Sequence, residues 1–295
     1  MTNSGPGLSR RELLQLMGVG ATALTLPLPR MAPAGGGRPM PKIGLQLYTV
    51  RAALERDFDA TLKRVAEIGF AGVETYALPA DVSLARAAGV LKSLGLQVLG
   101  MHVELPVGDQ REAALRLADA YVCDRVIDAG WPQGDKYRDA TAVRRTADVY
   151  NETAEFLAGK GLRLGLHNHW WEFEQAAGIV PFYYLLEHLD ARVFFEIDTY
   201  WAKTAGADPA KVVRDFGKRA PLLHVKDGPA VKGDAMYRQV PAGAGTVDFA
   251  AIARAGAGNV EWMIVEFDEF AGDIFEGIKN SYAYLSGNGL AEGRV

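Results

Sequence analysis

Two histidines stand two residues apart at the end of a short apolar run in the middle of this chain. The run 162–166 is followed by His167, Asn168 and His169. An apolar run that turns abruptly polar is typical of a buried strand that emerges into a pocket. Because imidazole nitrogens bind metal ions and exchange protons near neutral pH, this stretch predicts a site that carries out chemistry.

Three later runs end in residues of the same chemical kind. The run 193–197 ends at Asp198, the run 221–223 ends at His224, and the run 262–265 ends at Glu266. Carboxylates and imidazoles are common ligands of divalent metal ions in proteins. Together with His167, these strand ends predict one metal site.

The alternation of side chains along a strand gives His167 and His169 the same direction. One interpretation places both in the pocket, with His169 as a base of near-neutral pKa. The alternative is that both side chains pack inside the protein, and the register of the strand decides between the two. Lys226 follows His224 by two residues and shares its direction for the same reason, so it is a candidate to neutralise an oxyanion.

The composition favours one large domain. The chain has 295 residues, of which 49% are hydrophobic and 23% are charged. A net charge of -4 disfavours a nucleic-acid partner, which would require a basic face. The single cysteine, Cys123, stands among apolar residues and is expected to be a buried small residue rather than a nucleophile.

The first forty residues differ in kind from the rest. Arg10 and Arg11 precede a mildly apolar segment, 16–28, that is too short to span a bilayer, and 32–34 reads Ala-Pro-Ala, like a signal peptidase site. This order resembles a twin-arginine export signal. It predicts a signal peptide at 1–34, a linker at 35–41, a domain at 42–295 and a periplasmic location. The alternative is a basic, unstructured terminus.

From residue 42 onward, eight strand-like runs alternate with segments of helical spacing. This alternation predicts an α/β fold, a parallel sheet closed into a single-domain (β/α)8 TIM barrel. The rival is an open doubly wound sheet, which is disfavoured because no Gly-rich dinucleotide fingerprint follows the first run. Gly69, Gly95 and Gly161 each fall between a helix and the next strand, where a left-handed backbone is expected.

Six segments of the chain carry a family resemblance. They are IGLQLYTVR at 43–51, HNH at 167–169, EIDTYW at 196–201, HVKD at 224–227, GAGTVDF at 243–249 and VE at 265–266. They resemble the sugar phosphate isomerase/epimerase family of the xylose isomerase-like TIM barrels, over nearly the whole of 42–295. The resemblance implies one divalent metal ion at the barrel mouth, manganese first, with magnesium, cobalt or zinc as alternatives. The implied ligands are His167, Asp198, His224 and Glu266.

The histidine at position 167 departs from the family pattern. Many sugar epimerases of the family have Glu there and use two glutamates as paired acid and base. A set of two histidines and two carboxylates carries a formal charge of -2 instead of -3, so the bound cation is a stronger Lewis acid toward a carbonyl. A one-base reaction next to a carbonyl is therefore expected, with His169 or Glu266 as the base and Lys226 as a further catalytic residue.

The resemblance also implies a sugar substrate, which adds candidates around the mouth. Glu74 and His102 end the second and third strands and are predicted to bind sugar hydroxyls, although a solvated loop charge is an equal alternative for Glu74. Trp201 offers an aromatic face to a sugar ring, against the alternative of rim packing. Gln46 and Glu172 complete the predicted substrate-binding set.

Three functions remain open at this point. The first is a metal-dependent sugar isomerase or epimerase, and the second is a keto-sugar or 3-keto-glycoside lyase or hydrolase that acts by β-elimination. The third is a non-catalytic periplasmic sugar-binding protein, which is disfavoured because simple sugar binding requires no metal. The expected partner is a small-molecule sugar or keto-glycoside, with no nucleic acid and no membrane after signal cleavage. A homo-oligomer is compatible with each function.

Overall fold

The computed structural model describes residues 39–130 and 133–294. The predicted twin-arginine signal at 1–34 lies outside the described residues, as does most of the predicted linker at 35–41. The first strand begins at Lys42, the residue at which the sequence predicts the barrel domain to begin. Among the described residues, no helix combines the length and the apolar character needed to cross a membrane.

Eight parallel strands close into a barrel in chain order, and the last strand pairs with the first. This closure confirms the predicted (β/α)8 barrel and excludes the open sheet. The strands are β1 (Lys42–Gln46), β2 (Gly72–Thr75), β3 (Gln97–Val103), β4 (Arg125–Asp128), β5 (Arg163–His167), β6 (Phe194–Asp198), β7 (Leu222–Val225) and β8 (Trp262–Val265).

Each strand is followed by one main helix. These are α1 (Phe58–Ile68), α2 (Leu84–Ser93), α3 (Gln110–Tyr121), α4 (Ala140–Ala158), α5 (Pro181–His188), α6 (Pro209–Phe216), α7 (Phe249–Gly256) and α8 (Ile274–Gly287). The carboxylates of Asp57 and Asp139 cap the amino ends of α1 and α4. Gly69, Gly95 and Gly161 have φ of +114°, +64° and +75°, which confirms the predicted left-handed positions.

The barrel interior near the amino ends of the strands is filled by an apolar plug. The plug consists of Leu99, Ile127, Phe194, Leu222, Trp262 and Ile264, none of them more than 5% exposed. Gly165 of β5 lies beside it, and a Cβ at that position would lie 2.3 Å from Phe194 Cζ, so only glycine fits. A second, larger apolar core contains Cys123, which is buried as predicted.

Alternation along the strands decides what faces the interior above this plug. Phe194, Glu196 and Asp198 share one face of β6, so a single strand leads from the plug to buried charges. The strand register places Glu196 beside His167 and Asp198 beside His224. Polar side chains from neighbouring strands therefore meet at the carboxyl end of the barrel.

Candidate active site

The carboxyl ends of β5 to β8 bring together the four side chains that are predicted to bind a metal ion. One ligand atom from each of His167, Asp198, His224 and Glu266 lies within 4.8 Å of the other three. All four residues are buried, and Asp198 and His224 are 0% exposed. The barrel thus gathers four separate strand ends into one cluster.

His224 connects the members of this cluster. Its Nδ1 lies 2.6 Å from Glu266 Oε2 and 3.8 Å from Asp198 Oδ2. Its ring centroid lies 4.6 Å from that of His167. Asp198 is held from the other side, because its Oδ1 accepts a hydrogen bond at 2.8 Å from the backbone N–H of Trp201, in the short helix Thr199–Thr204.

The donor set fits a divalent cation. Asp198 Oδ2, His224 Nδ1 and Glu266 Oε2 are buried atoms that make no well-oriented hydrogen bond within the described residues. With both carboxylates ionised and both imidazoles neutral, as cation binding requires, the four side chains would carry a formal charge of -2. Because buried carboxylates are costly without compensation, a cation among these atoms would relieve the cost.

In this structure the ammonium of Lys226 supplies compensating positive charge. Its Nζ lies 3.1 Å from Asp198 Oδ2, 3.0 Å from Glu266 Oε2 and 2.6 Å from Asp268 Oδ2. Both Lys226 and His224 approach the same oxygen of Glu266. The predicted shared direction of Lys226 and His224 is therefore confirmed.

A second polar layer lies below the first and centres on Glu196, a residue to which the sequence analysis assigns no role. Glu196 Oε2 lies 2.6 Å from His102 Nε2, 3.1 Å from His167 Nδ1 and 3.2 Å from His224 Nε2. Glu74 Oε2 lies 2.7 Å from the same nitrogen of His224. His102, His167, Glu196 and His224 form a second group whose ligand atoms lie within 4.8 Å of one another.

The signal that identifies Glu196 in the sequence is the two-residue period of a strand. Glu196 stands two residues before Asp198 in an otherwise apolar run, so the two carboxylates must face the same way. A carboxylate in the middle of a buried strand requires hydrogen-bond partners from other strands. That pattern alone predicts Glu196 as part of an interior polar site.

Burial and neighbouring charges set the protonation of the lower layer. Burial and the Glu196 carboxylate raise the pKa of Glu74 to about 8. Burial also acts to raise the pKa of Glu196, but His224 and His102 bring that pKa well below its ordinary value. Burial acts to lower the pKa of His102, but Glu196 and Glu74 outweigh it and raise that pKa. Of these two neighbouring carboxyl groups, Glu74 therefore holds a proton more readily than Glu196.

The same balance operates in the upper layer. Burial lowers the pKa of His167 to about 3, so its imidazole is neutral. Burial raises the pKa of Asp198 to about 6. Burial acts to lower the pKa of His224, but Glu196 and Glu266 raise it well above its ordinary value. A cation at this site would therefore compete with a proton for His224.

His169 lies beside His167, with 5.2 Å between the ring centroids, as the strand period predicts. Its ring stacks on Trp171 at 4.2 Å, and its backbone N–H donates to Glu172 Oε2 at 2.8 Å. Burial, followed by the charges of His167 and Lys226, lowers the pKa of His169 well below its ordinary value. The predicted near-neutral pKa is therefore wrong, because the sequence does not show which side chains surround the ring.

The predicted substrate-binding residues lie in the wall of the site. Glu74 and Glu172 are 0% exposed, Gln46 is 1% exposed and Trp201 is 2% exposed. The side chain of His102 keeps 9% of its surface accessible. Gln46 Nε2 donates to Glu74 Oε2 at 3.2 Å. Substrate contact stays a prediction for all five.

A family profile described as xylose isomerase-like TIM barrel matches residues 62–279. The chain belongs to the xylose isomerase-like TIM barrel family. The matched range of this family member runs from before β2 to beyond β8 and includes the four predicted metal ligands. No curated protein shows significant sequence similarity to the chain.

Several solved structures share the fold of this family member. A sugar phosphate isomerase/epimerase from Parabacteroides distasonis aligns with a TM-score of 0.72 and 20% identity, over 90% of this chain and 100% of that chain. An L-ribulose 3-epimerase aligns with a TM-score of 0.61 and 20% identity, over 84% and 94%. A probable 3-DHS dehydratase from Bacillus anthracis aligns with a TM-score of 0.62 and 15% identity, over 83% and 98%.

Proposed function

We propose that this protein is a sugar isomerase or epimerase that depends on a divalent metal ion and removes a proton next to a carbonyl group. The observation that carries the proposal is the cluster of ligand atoms from His167, Asp198, His224 and Glu266. Active sites of TIM-barrel enzymes lie at this end of the barrel. The sugar phosphate isomerase/epimerase and the L-ribulose 3-epimerase that share the fold support this class of reaction.

The four clustered side chains would hold the ion. Manganese is the first candidate, with magnesium, cobalt or zinc as alternatives, because a mixed set of imidazoles and carboxylates suits several divalent ions. When bound, the ion supplies Lewis acidity toward a substrate carbonyl oxygen. Glu74 would orient one ligand from below, since its Oε2 lies 2.7 Å from His224 Nε2.

His169 is the proposed proton acceptor. Its imidazole is neutral because its pKa is lowered by burial, and its ring adjoins that of His167. Glu266 is the second candidate, because Lys226 and His224 overcome the effect of burial and hold its pKa well below the ordinary value, which keeps it ionised. The Lys226 ammonium would stabilise negative charge that develops on a substrate oxygen.

A keto-sugar or 3-keto-glycoside lyase or hydrolase is the second candidate function. The histidine at position 167 favours it, because a two-base epimerisation would use a glutamate there. In the elimination, His169 takes the acidic proton next to the ketone, and the glycosidic oxygen leaves from the neighbouring carbon with its bonding electrons. The probable 3-DHS dehydratase among the fold neighbours supports elimination chemistry on this scaffold.

Product analysis by NMR in D2O separates these functions. The manganese-loaded protein is incubated with ketoses and with 3-keto-glycosides, and His169→Gln serves as a variant with the predicted metal ligands intact. Deuterium at carbon in an intact sugar or glycoside supports isomerisation or epimerisation, whereas release of the aglycone supports the lyase. Saturable sugar binding without any product would contradict both and favour the non-catalytic sugar-binding protein.

We further propose that the protein acts in the periplasm, on a small-molecule sugar or glycoside, after export by the twin-arginine route. The proposal rests on Arg10 and Arg11, the apolar segment 16–28 and the Ala-Pro-Ala at 32–34. The double change Arg10→Lys with Arg11→Lys should keep the precursor in the cytoplasm, as cell fractionation would show. Unaltered export of this variant would mean that the paired arginines are accidental.

A further inference from the structure

Lys226 is a buried counter-ion shared by three carboxylates. Its Nζ lies 3.1 Å from Asp198 Oδ2, 3.0 Å from Glu266 Oε2 and 2.6 Å from Asp268 Oδ2. The lysine is 1% exposed, so solvent screens these interactions weakly. Asp198 and Glu266 belong to the predicted metal-ligand set, whereas Asp268 lies outside it.

A divalent cation and this ammonium would compete for the same oxygens. Asp198 Oδ2 and Glu266 Oε2 each lie within about 3 Å of Nζ, and each is also one of the atoms predicted to bind the cation. Two positive charges a few ångströms apart in a buried site repel strongly. The ammonium must therefore weaken cation binding unless another group holds it away from the ligands.

Asp268 is built to hold the ammonium. It makes the shortest of the three contacts with Lys226, at 2.6 Å. Gln239 holds both the side chain and the backbone of Asp268, because Gln239 Nε2 donates to Asp268 Oδ2 at 2.7 Å and the Asp268 backbone N–H donates to Gln239 Oε1 at 2.7 Å. The Trp201 ring, whose centroid lies 5.0 Å from Nζ, offers a further contact that involves no metal ligand.

We propose that Lys226 is the resident counter-ion of the metal-free cluster, and that Asp268 retains its ammonium when a divalent cation takes over Asp198 and Glu266. The pair Lys226 and Asp268 thereby sets how tightly the site binds a cation. The inference rests on the metal-ligand set of the proposed function. Asp268 is a positioning residue in this arrangement, because it acts through Lys226.

The expected effects follow from the charges. Asp198, Glu266, Asp268 and Lys226 together carry a formal charge of -2, from three carboxylates and one ammonium. Lys226→Met changes this sum to -3 and Asp268→Asn changes it to -1. Because a more negative site binds a cation more tightly, Lys226→Met should bind Mn²⁺ at least about tenfold more tightly and Asp268→Asn at least about tenfold more weakly.

Isothermal titration of Mn²⁺ into the chelator-treated full chain at one fixed pH tests these opposite directions. Lys136→Met and Asp128→Asn are matched controls. Lys136 and Asp128 also form an ion pair at the end of a strand, with Lys136 Nζ 3.3 Å from Asp128 Oδ2, and Asp128 is 1% exposed. Circular dichroism checks that each variant folds. Lys226→Gln is the second uncharged variant if the methionine variant does not fold.

The outcomes separate this inference from the proposed function. Tighter binding by Lys226→Met and weaker binding by Asp268→Asn, with unchanged controls, support the inference. If the wild type binds Mn²⁺ but Lys226→Met and Lys226→Gln bind it equally or more weakly, the inference falls and the proposed metal site stands. If only the uncharged Lys226 variants bind Mn²⁺, the inference stands and metal dependence of the natural protein falls. If no variant binds Mn²⁺, both fall.

Discussion

The two ends of the barrel interior are built from the same strands and differ in chemistry. In β7, Leu222 belongs to the apolar plug, and His224 lies two residues further on in the polar cluster. In β6, Phe194 and Glu196 stand in the same relation. A step of two residues, roughly 7 Å along a strand, thus separates close-packed apolar side chains from buried charges.

The apolar end stabilises the fold, and the polar end provides the groups that could carry out chemistry. Burial of a side chain such as Leu222 contributes about 1.5–3 kcal/mol to stability. A buried carboxylate such as Asp198 loses its hydration, and its pKa of about 6, above the ordinary value, means that the neighbouring charges offset only part of that cost. The polar end therefore lowers the stability of the fold. Buried charges of this kind are typical of sites that hold a cation or move a proton.

The largest expected effect is on metal binding at the polar end. His224→Ala removes the imidazole that lies between the other ligands, and Mn²⁺ affinity should fall at least about a hundredfold, because loss of even an outer partner of a ligand costs about 10–100-fold. Mass spectrometry of bound metal measures the effect. Leu222→Ala, two residues earlier in the same strand, is the matched control. Full metal occupancy in His224→Ala would remove the predicted site from this end of the barrel.

The second effect separates the two neighbouring histidines. His169→Gln should keep the metal and lower turnover about a hundredfold, because a positioned acid or base contributes that much to rate. Burial lowers the pKa of His169 from 6.5, so the acidic limb of the rate profile should lie below that pH and vanish in the variant. If the limb survives, Glu266 or Glu172 becomes the better candidate for the base.

The third effect belongs to the apolar end. Leu222→Ala should lower the free energy of unfolding by about 2–5 kcal/mol, since the side chain is 0% exposed and its removal leaves a cavity. Urea denaturation of the metal-free protein measures this loss. Unchanged stability together with weaker metal binding would mean that the plug supports the site rather than the fold.

The smallest effect concerns the pH dependence of stability. Burial raises the pKa of Glu172 from 4.5 to about 8, so its stabilising contribution is complete below about pH 4.5 and is lost as the pH rises through 8. Glu172→Gln cannot ionise, so the variant should lose less stability than the wild type as the pH rises from about 5 to about 9. Urea denaturation at these two pH values measures the difference. Equal losses would show that Glu172 is ionised in the folded protein.

Much of the fold could be predicted from sequence because the signals are local. The period of the apolar residues predicts a helix over 58–68, and the structure has α1 at Phe58–Ile68. The apolar runs predict the strands, and the polar residue that ends each run of the second half belongs to the upper cluster. His167 and Glu266 could therefore be predicted as metal ligands without knowledge of any contact between them.

For the predicted substrate-binding residues, local sequence signals do not predict depth in the barrel. Gln46 ends β1, Glu74 is the second-to-last residue of β2, and Glu266 directly follows β8. The structure nevertheless places Gln46 and Glu74 deeper, with Gln46 donating to Glu74 and Glu74 beneath His224. Position at a strand end does not reveal depth in the barrel, because neighbouring strands are staggered around it. The low pKa of His169 could not be predicted from the sequence for a related reason. Burial lowers it, and burial depends on residues from elsewhere in the chain.

The barrel, the four strand-end residues of the upper cluster and two shared directions could be predicted from the amino-acid pattern. The shared directions are those of His167 with His169 and of His224 with Lys226, because side-chain alternation is set within each strand. Which residues lie at the same height in the barrel depends on the folded sheet. The stagger between strands and the path of the loop after β8 are properties of the closed sheet, and they alone place Asp268 against the Lys226 ammonium.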